Sequence, residues 1–287
     1  MALNTYQKMC YRWFGRIAEN LASEKMIDDL EKAHMEVRAG AYLSTVWVNT
    51  LLTAVVTFSL IITMVLFIDI ELWMILALMM VPVLCTLLAY FYLMSYPSQK
   101  AKSRARKIDL HLPYALNFIS AMSSAGITPT EIFKSLSKQH IYGEIREEAL
   151  WIYRDVGLLG RDVISAIRSN IHRTPSEKFK EFLQGAIVTV QSGGALKPYF
   201  MSKAEQYTRE NRVVQKQLIE SLGIMAEAYV TAAVAGVLLI IIIIPLMMII
   251  SQADVSELNF MYVFVFMIVP MIHIGFAVIL SSMSQKV

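Results

Sequence analysis

The sequence predicts an all-α membrane protein, with four transmembrane helices in two pairs flanking a cytoplasmic helical-bundle domain. Three observations predict this class. Four long stretches contain no Asp, Glu, Lys or Arg. The basic residues gather on one side of those stretches. The segment between the two pairs reads as short amphipathic helices punctuated by Gly and Thr-Pro, with no strand-like alternation.

The charge-free stretches are Leu43–Ile68, Leu72–Tyr96, Ala228–Ala253 and Leu258–Gln285. Each exceeds the roughly 20 apolar residues needed to cross a hydrocarbon core of about 30 Å. Of the 287 residues, 56% are hydrophobic and 17% charged, which excludes an ordinary soluble domain. The expected organisation is a cytoplasmic N-terminal helical segment (1–40), spans 1 and 2 (41–96), a cytoplasmic helical domain (97–225) and spans 3 and 4 (226–287).

Orientation follows from the short links. "IDIELW" carries Asp69 and Glu71, and "SQADVSELNF" carries Asp254 and Glu257, with no Lys or Arg in either. All 26 basic residues lie elsewhere. By the positive-inside rule both termini and the middle domain face the cytoplasm of a multi-pass cell-membrane protein. "KAKSRARK", from Lys100, is read as anchoring the end of the second span against anionic headgroups, so the lipid bilayer is one partner. The first long apolar run begins too far in, and runs too long, for a cleavable signal. Cys10 and Cys85 cannot meet on this topology and form no disulfide framework.

The middle domain shows repeated helix punctuation. In "RTPSEKFKEFLQGAIVTVQSGG", Thr174 is read as an N-cap, Pro175 as the first helical residue and Glu177 as the partner in a capping box. Phe179, Phe182, Leu183, Ala186, Ile187 and Val190 then follow at helical spacing, and Gly193 and Gly194 end the helix. "AGITPTEIFKSL" repeats the device with Gly126, Thr128, Pro129 and Glu131. "VGLLGRDVISAI" is a looser copy with Gly157, Gly160 and Asp162. The expected helices are Ile108–Ser124, Thr130–Lys138, Gly143–Val156, Arg161–Ser169 and Pro175–Ser192. A last helix from Lys197 is expected to run into the third span without a break.

Little in the chain points to chemistry, and no catalytic, cofactor-binding or metal-binding residue is assigned. His34, His111, His140, His172 and His273 show no metal-ligand spacing to Cys, Asp or Glu. No phosphate-binding or nucleophile-elbow motif occurs, and "QSGGALK" lacks the Walker spacing. The spans offer Asn49, His273 and, at the mouth of the third, Glu227, but no pair of midplane carboxylates such as ion coupling needs. Pro82, Pro245 and Pro270 imply kinks. From Lys100 to Glu220 there are 19 Lys and Arg against 12 Asp and Glu, a basic surplus suited to an acidic protein or lipid headgroups. Aromatic residues are not interleaved with it, which argues against nucleic acid.

These segments resemble a known family. "LPYALNFISAMSSAGITPTEIFKSL", "YGEIREEALWIYRDVGLLGRDVISAI" and "RTPSEKFKEFLQGAIVTVQSGGALKPYFMSKAEQY" are similar to the F family of type II secretion, closest to the platform proteins of archaella and archaeal type IV pili. "LEKAHMEVRAGAYL" looks like that family's lead-in, with His34 where a Gly is expected. The resemblance covers about Leu30 to Ile250. It implies a non-enzymatic inner-membrane platform driven by a cytoplasmic hexameric secretion ATPase. The spans would pass pilin or archaellin subunits into a growing filament. Archaeal members often carry two copies of the unit. This sequence carries one, which implies a homo-oligomer or a related second subunit. Arg161, Arg168, Arg173, Lys178 and Lys180 are the basic residues that would dock the ATPase. A small-solute transporter or channel is the alternative, and a membrane-embedded enzyme would need a polar constellation that the sequence does not show.

Overall fold

A computed structural model describes residues 5–67, 72–251 and 262–284. No strand occurs among the described residues. Among the described residues four helices are long and apolar enough to cross a membrane, within Ala39–Val65, Leu78–Ser124, Leu196–Leu246 and Phe264–Ser281. The protein is an all-α membrane protein. The acidic links at Asp69–Glu71 and Asp254–Glu257, and Lys286, lie outside the described residues. The chain divides into two compact units, Met1–Ala204 and Glu205–Val287.

The first unit opens with α1 (Thr5–Leu21) and α2 (Glu24–Lys32). Helix α1 packs along α3 (Ala39–Phe67), and α3 packs on α4 (Leu72–Ser124). Ala18, Met26, Leu30, Tyr42, Leu43 and Val46 form one buried cluster at their junction. His34, between α2 and α3, has φ 52°, the left-handed region that glycine favours. The position where the resemblance expects Gly thus has a backbone suited to Gly. The His34 ring sits edge-on to Trp151, with centroids 4.7 Å apart.

Helix α4 differs from the expectation. Instead of a span ending at Tyr96 and a new helix from Ile108, one helix of 53 residues runs through, about 80 Å long. Pro82, Pro97 and Pro113 lie inside it. A proline removes one i→i−4 bond, which a helix tolerates where the freed carbonyl finds another donor. For Pro97 the freed carbonyl is that of Leu93, and the Tyr42 hydroxyl of α3 donates to it at 2.6 Å. The first half of α4 exposes Met80, Leu84, Leu88 and Phe91, as a lipid-facing helix does. The second half buries Ala101, Ile108, Leu112, Leu116 and Ile119 in the core of the helical domain.

Around that second half pack α5 (Pro129–Ser137), α6 (Glu144–Gly157) and α8 (Glu177–Gln191), with a 3₁₀ turn at His140–Tyr142. Helix α7 (Val163–Arg173) lies between α6 and α8. The start of α9 (Leu196–Tyr229) adds Phe200 and Ala204 to the core. Ile132, Phe133, Leu136, Ile145, Ile152, Phe179, Phe182 and Leu183 are almost completely buried. Burial on this scale is the main stabilising term, at about 1.5–3 kcal/mol for each large apolar side chain.

The caps correct part of the sequence reading. Thr174 does not start α8. Its N–H donates to the Asn170 carbonyl at 2.9 Å, closing the C-terminus of α7. Its hydroxyl is buried and has no hydrogen-bond partner among the described residues. The cap of α8 is Ser176, which accepts from the Phe179 N–H at 3.0 Å and donates to Asp109 of α4. Thr174 has extended backbone (φ −71°, ψ 133°), but α8 starts only at Glu177, so the hydroxyl that reaches its first free N–H groups is that of Ser176 and the cap moves two positions. Glu177 becomes the first helical residue and pairs with Lys180 at 3.4 Å on the surface. Thr128 occupies the cap position of α5, without a side-chain bond, before Pro129. Glu131 pairs with Lys134 at 2.9 Å. Asp162 accepts from the Ile164 N–H at 3.1 Å, so α7 begins after it and not at Arg161. Helix α7 runs past Ser169 because Asn170 and Ile171 are buried there.

Gly126, Gly160 and Gly193 have positive φ and open space where a Cβ would stand, so conformation alone asks for glycine. Gly157 and Gly194 do not share that conformation.

In the second unit, helix α9 continues through a π-helical turn at Val230–Ala235 into α10 (Gly236–Ser251). A second π turn, Phe264–Ile268, precedes α11 (Val269–Ser284). Pro270 has no N–H for the carbonyl four residues back, and a π turn is one way for a helix to absorb that change of register. Tyr229 packs edge-on to His273 at 5.7 Å and against Phe276 at 4.9 Å.

Candidate functional site: a charged joint around Trp151

The densest polar arrangement joins the long helix α4 to the domain around it. Arg104 lies on the same stripe of α4 as Ala101 and Ile108, and all three are buried. It therefore does not face headgroups, as the sequence reading expected of the basic segment. Its guanidinium pairs with Glu148 at 2.7 Å and with Glu144 at 3.0 Å, both on α6, and donates to the Lys32 carbonyl of α2 at 3.2 Å. One side chain thus ties three helices together.

Glu148 is completely buried. Burial pushes its carboxyl above the ordinary range, while the Arg104 guanidinium and the Asn170 amide pull it back. An ion pair of this kind adds little net stability, but removing one partner strands a buried charge.

Trp151 forms the centre of the joint. Arg104 lies over its ring at 5.9 Å and Arg173 at 5.3 Å. Arg173 also pairs with Glu31 of α2 at 3.4 Å and with Asp155 of α6 at 3.5 Å. Arg161 reaches the same Asp155 at 3.6 Å. Burial, and then the Arg104 charge, hold the His34 imidazole below the ordinary histidine range. Beside these residues is a recess of about 510 Å³ lined by Glu31, His34, Trp151, Asp155 and Arg173 among others. Glu31 and Asp155 in its lining both pair with Arg173.

The five basic residues expected to dock a partner therefore separate. Arg161 and Arg173 converge on Asp155, and Arg173 is held within the joint. Arg168 on α7 and Lys178 on α8 are exposed, and Lys180 is half-buried beside Glu177. Among the described residues no group of three His, Cys, Asp or Glu is placed to hold a metal ion. The sequence reading missed Glu148 and Asp155. The signal was present, since both fall on the apolar register of Ile145, Ala149 and Ile152, where an acid needs a buried partner.

Residues 115–244 match the family model of the type II secretion system protein F. The chain carries a protein F domain. That domain begins in the buried half of α4, contains α5 to α9 and ends within α10. Three relatives from Methanocaldococcus jannaschii are similar to this chain. An uncharacterized protein is 34% identical over 150 residues, covering 52% of this chain and 25% of the relative. Flagella accessory protein J is 27% identical over 138 residues, covering 48% and 25%. A second uncharacterized protein is 28% identical over 135 residues, covering 46% and 40%. The matches thus span a quarter of the first two relatives. No solved structure matches the chain. Of the joint, Glu148, Trp151, Asp155 and Arg173 lie inside the F domain, while Arg104, Glu31 and His34 reach it from the segments before it.

Proposed function

We propose that this chain is a non-enzymatic inner-membrane platform for assembly of a type IV pilus-like filament, an archaellum or an archaeal pilus. In this reading it couples a cytoplasmic secretion ATPase to the insertion of pilin-like subunits. The observation that carries the proposal is the unbroken helix α4. Its first half has a lipid-facing character, and its second half runs through the core of the helical domain and enters the F-family match at residue 115. A displacement imposed on the domain reaches the membrane through one rod, clamped by Arg104 to α2 and α6. The F-family match and the similarity to an archaeal flagella accessory protein support the same reading.

The basic balance of the middle domain supports a cytoplasmic orientation, with both termini on that side. A membrane-impermeant thiol reagent added to cells should label a cysteine placed at Ser256 and spare one at Ser137. The reverse pattern overturns the orientation. For the function, the full chain in nanodiscs should capture its host's secretion ATPase and bind no ATP alone. Tight ATP binding by the chain itself, or undiminished filaments in a strain lacking it, overturns the platform reading.

A further inference from the structure

Helix α1 carries an apolar surface that the fold leaves uncovered. Its buried face, with Cys10 and Ala18, lies in the core. The adjoining stripe exposes Tyr6, Met9, Trp13 and Ile17 at three- and four-residue spacing, with Trp13 at 75% exposure. Lys8, Arg12 and Arg16, four residues apart and all exposed, form the next stripe, and Glu19 is the only acid in the helix.

Its neighbours set its depth. Phe14 packs edge-on to Trp47 at 6.1 Å, and the Tyr6 hydroxyl donates to the Asn49 side chain. Both partners belong to the charge-free stretch of α3. Asn49 stands six residues beyond Leu43, about 9 Å along the helix. Interfacial amphipathic helices sink their apolar face about 5–10 Å into the boundary between headgroups and acyl chains, with basic residues on the polar face. Tryptophan concentrates at that level.

We propose that α1, which runs antiparallel along the start of span α3, dips its Tyr6, Met9, Trp13 and Ile17 face into the lipid boundary, with Lys8, Arg12 and Arg16 binding anionic headgroups. The occupant is lipid because α1 is packed on the charge-free stretch of α3 through Phe14 and Tyr6, and its apolar stripe is bordered by three cations. The proposal rests only on α3 crossing the membrane. It holds or fails independently of any filament or ATPase.

The test uses the full chain, with Cys10→Ala and Cys85→Ala, in vesicles of phosphatidylcholine with and without phosphatidylglycerol. Single spin labels are placed through Met9→Cys, Arg12→Cys and Leu158→Cys. Collision with membrane-dissolved oxygen is compared with collision with a water-soluble nickel chelate. The oxygen-to-chelate ratio at Met9 should exceed that at Leu158 and Arg12 severalfold. It should rise when phosphatidylglycerol is added, and Lys8→Gln, Arg12→Gln and Arg16→Gln together should abolish the rise. A Met9 label as open to the chelate as Leu158 overturns the proposal. A Met9 label shielded from both reagents means that protein covers the face, and overturns it too. A ratio blind to both vesicle charge and the triple variant overturns the headgroup assignment.

Discussion

The Tyr42 hydroxyl donates at 2.6 Å to the Leu93 carbonyl, the backbone group that Pro97 leaves without a helical partner. The proline and the tyrosine sit on different helices, and their effects should be coupled. Tyr42→Phe should destabilise the protein by about 1 kcal/mol, because a partly buried carbonyl loses its donor. Pro97→Ala restores an N–H four residues beyond Leu93, so Tyr42→Phe should cost much less in that background. A double-mutant cycle on thermal unfolding in detergent reads the coupling. Additive effects would mean that the hydroxyl does not serve the proline gap.

The cap correction leads to a pair of opposite outcomes. Ser176→Ala removes both the acceptor for the Phe179 N–H and the donor to Asp109, and should cost about 1–2 kcal/mol. Thr174→Val replaces a buried, unpartnered hydroxyl by a methyl of similar shape, and should be neutral or stabilising. Ser176→Ala should therefore lower the melting temperature of the full chain, and Thr174→Val should leave it unchanged or raise it. A loss at Thr174→Val as large as at Ser176→Ala would return the capping role to Thr174.

Glu148 gives the fold a pH dependence whose sign is set. Its folded carboxyl is raised above the unfolded value, so the folded state holds the proton more tightly. Its contribution to stability is greatest below the ordinary carboxylate range and falls as pH rises from there to the raised value. Glu148→Gln should remove that slope from a series of melts across acid to neutral pH. Arg104→Met should cost about 3–5 kcal/mol at neutral pH, since it strands the buried carboxylate. Adding Glu148→Leu to Arg104→Met should recover most of that loss. Failure to recover would show that Arg104 acts through Glu144 and the Lys32 carbonyl instead.

Two arginines on α7 should part company in an ATPase-binding assay. Arg168→Glu changes an exposed charge. It should weaken capture of the ATPase most at low salt, while the melting temperature stays put. Arg173→Glu places a like charge against Glu31 and Asp155 and removes the cation over Trp151, so its first effect should be a lower melting temperature. Salt-insensitive binding that ignores Arg168→Glu would leave the platform reading in place and remove this docking face.

The sequence alone determines the class, the number of apolar helices and most of the domain's helices. Those features are written in residue-by-residue patterns. A span needs an uncharged run such as Ala228–Ala253, and α8 needs Phe179, Phe182, Leu183 and Ala186 on one face. The resemblance carried by the Gly and Thr-Pro punctuation led to the family in the same way. The tertiary structure decided what depends on a partner distant in the chain. Pro97 reads as a stop until Tyr42, from another helix, supplies the missing hydrogen bond and α4 runs through. The sequence reading took Thr174 as the cap of α8, and only the reach of Ser176 to the Phe179 N–H and to Asp109 moves that role two residues on. Arg104 reads as one of a row of membrane-anchoring cations until Glu148, 44 residues on, draws it into the core. In each case the deciding quantity is the free energy of a buried polar group. That quantity is set by the partner which folding brings to it, and no local pattern records which partner will arrive.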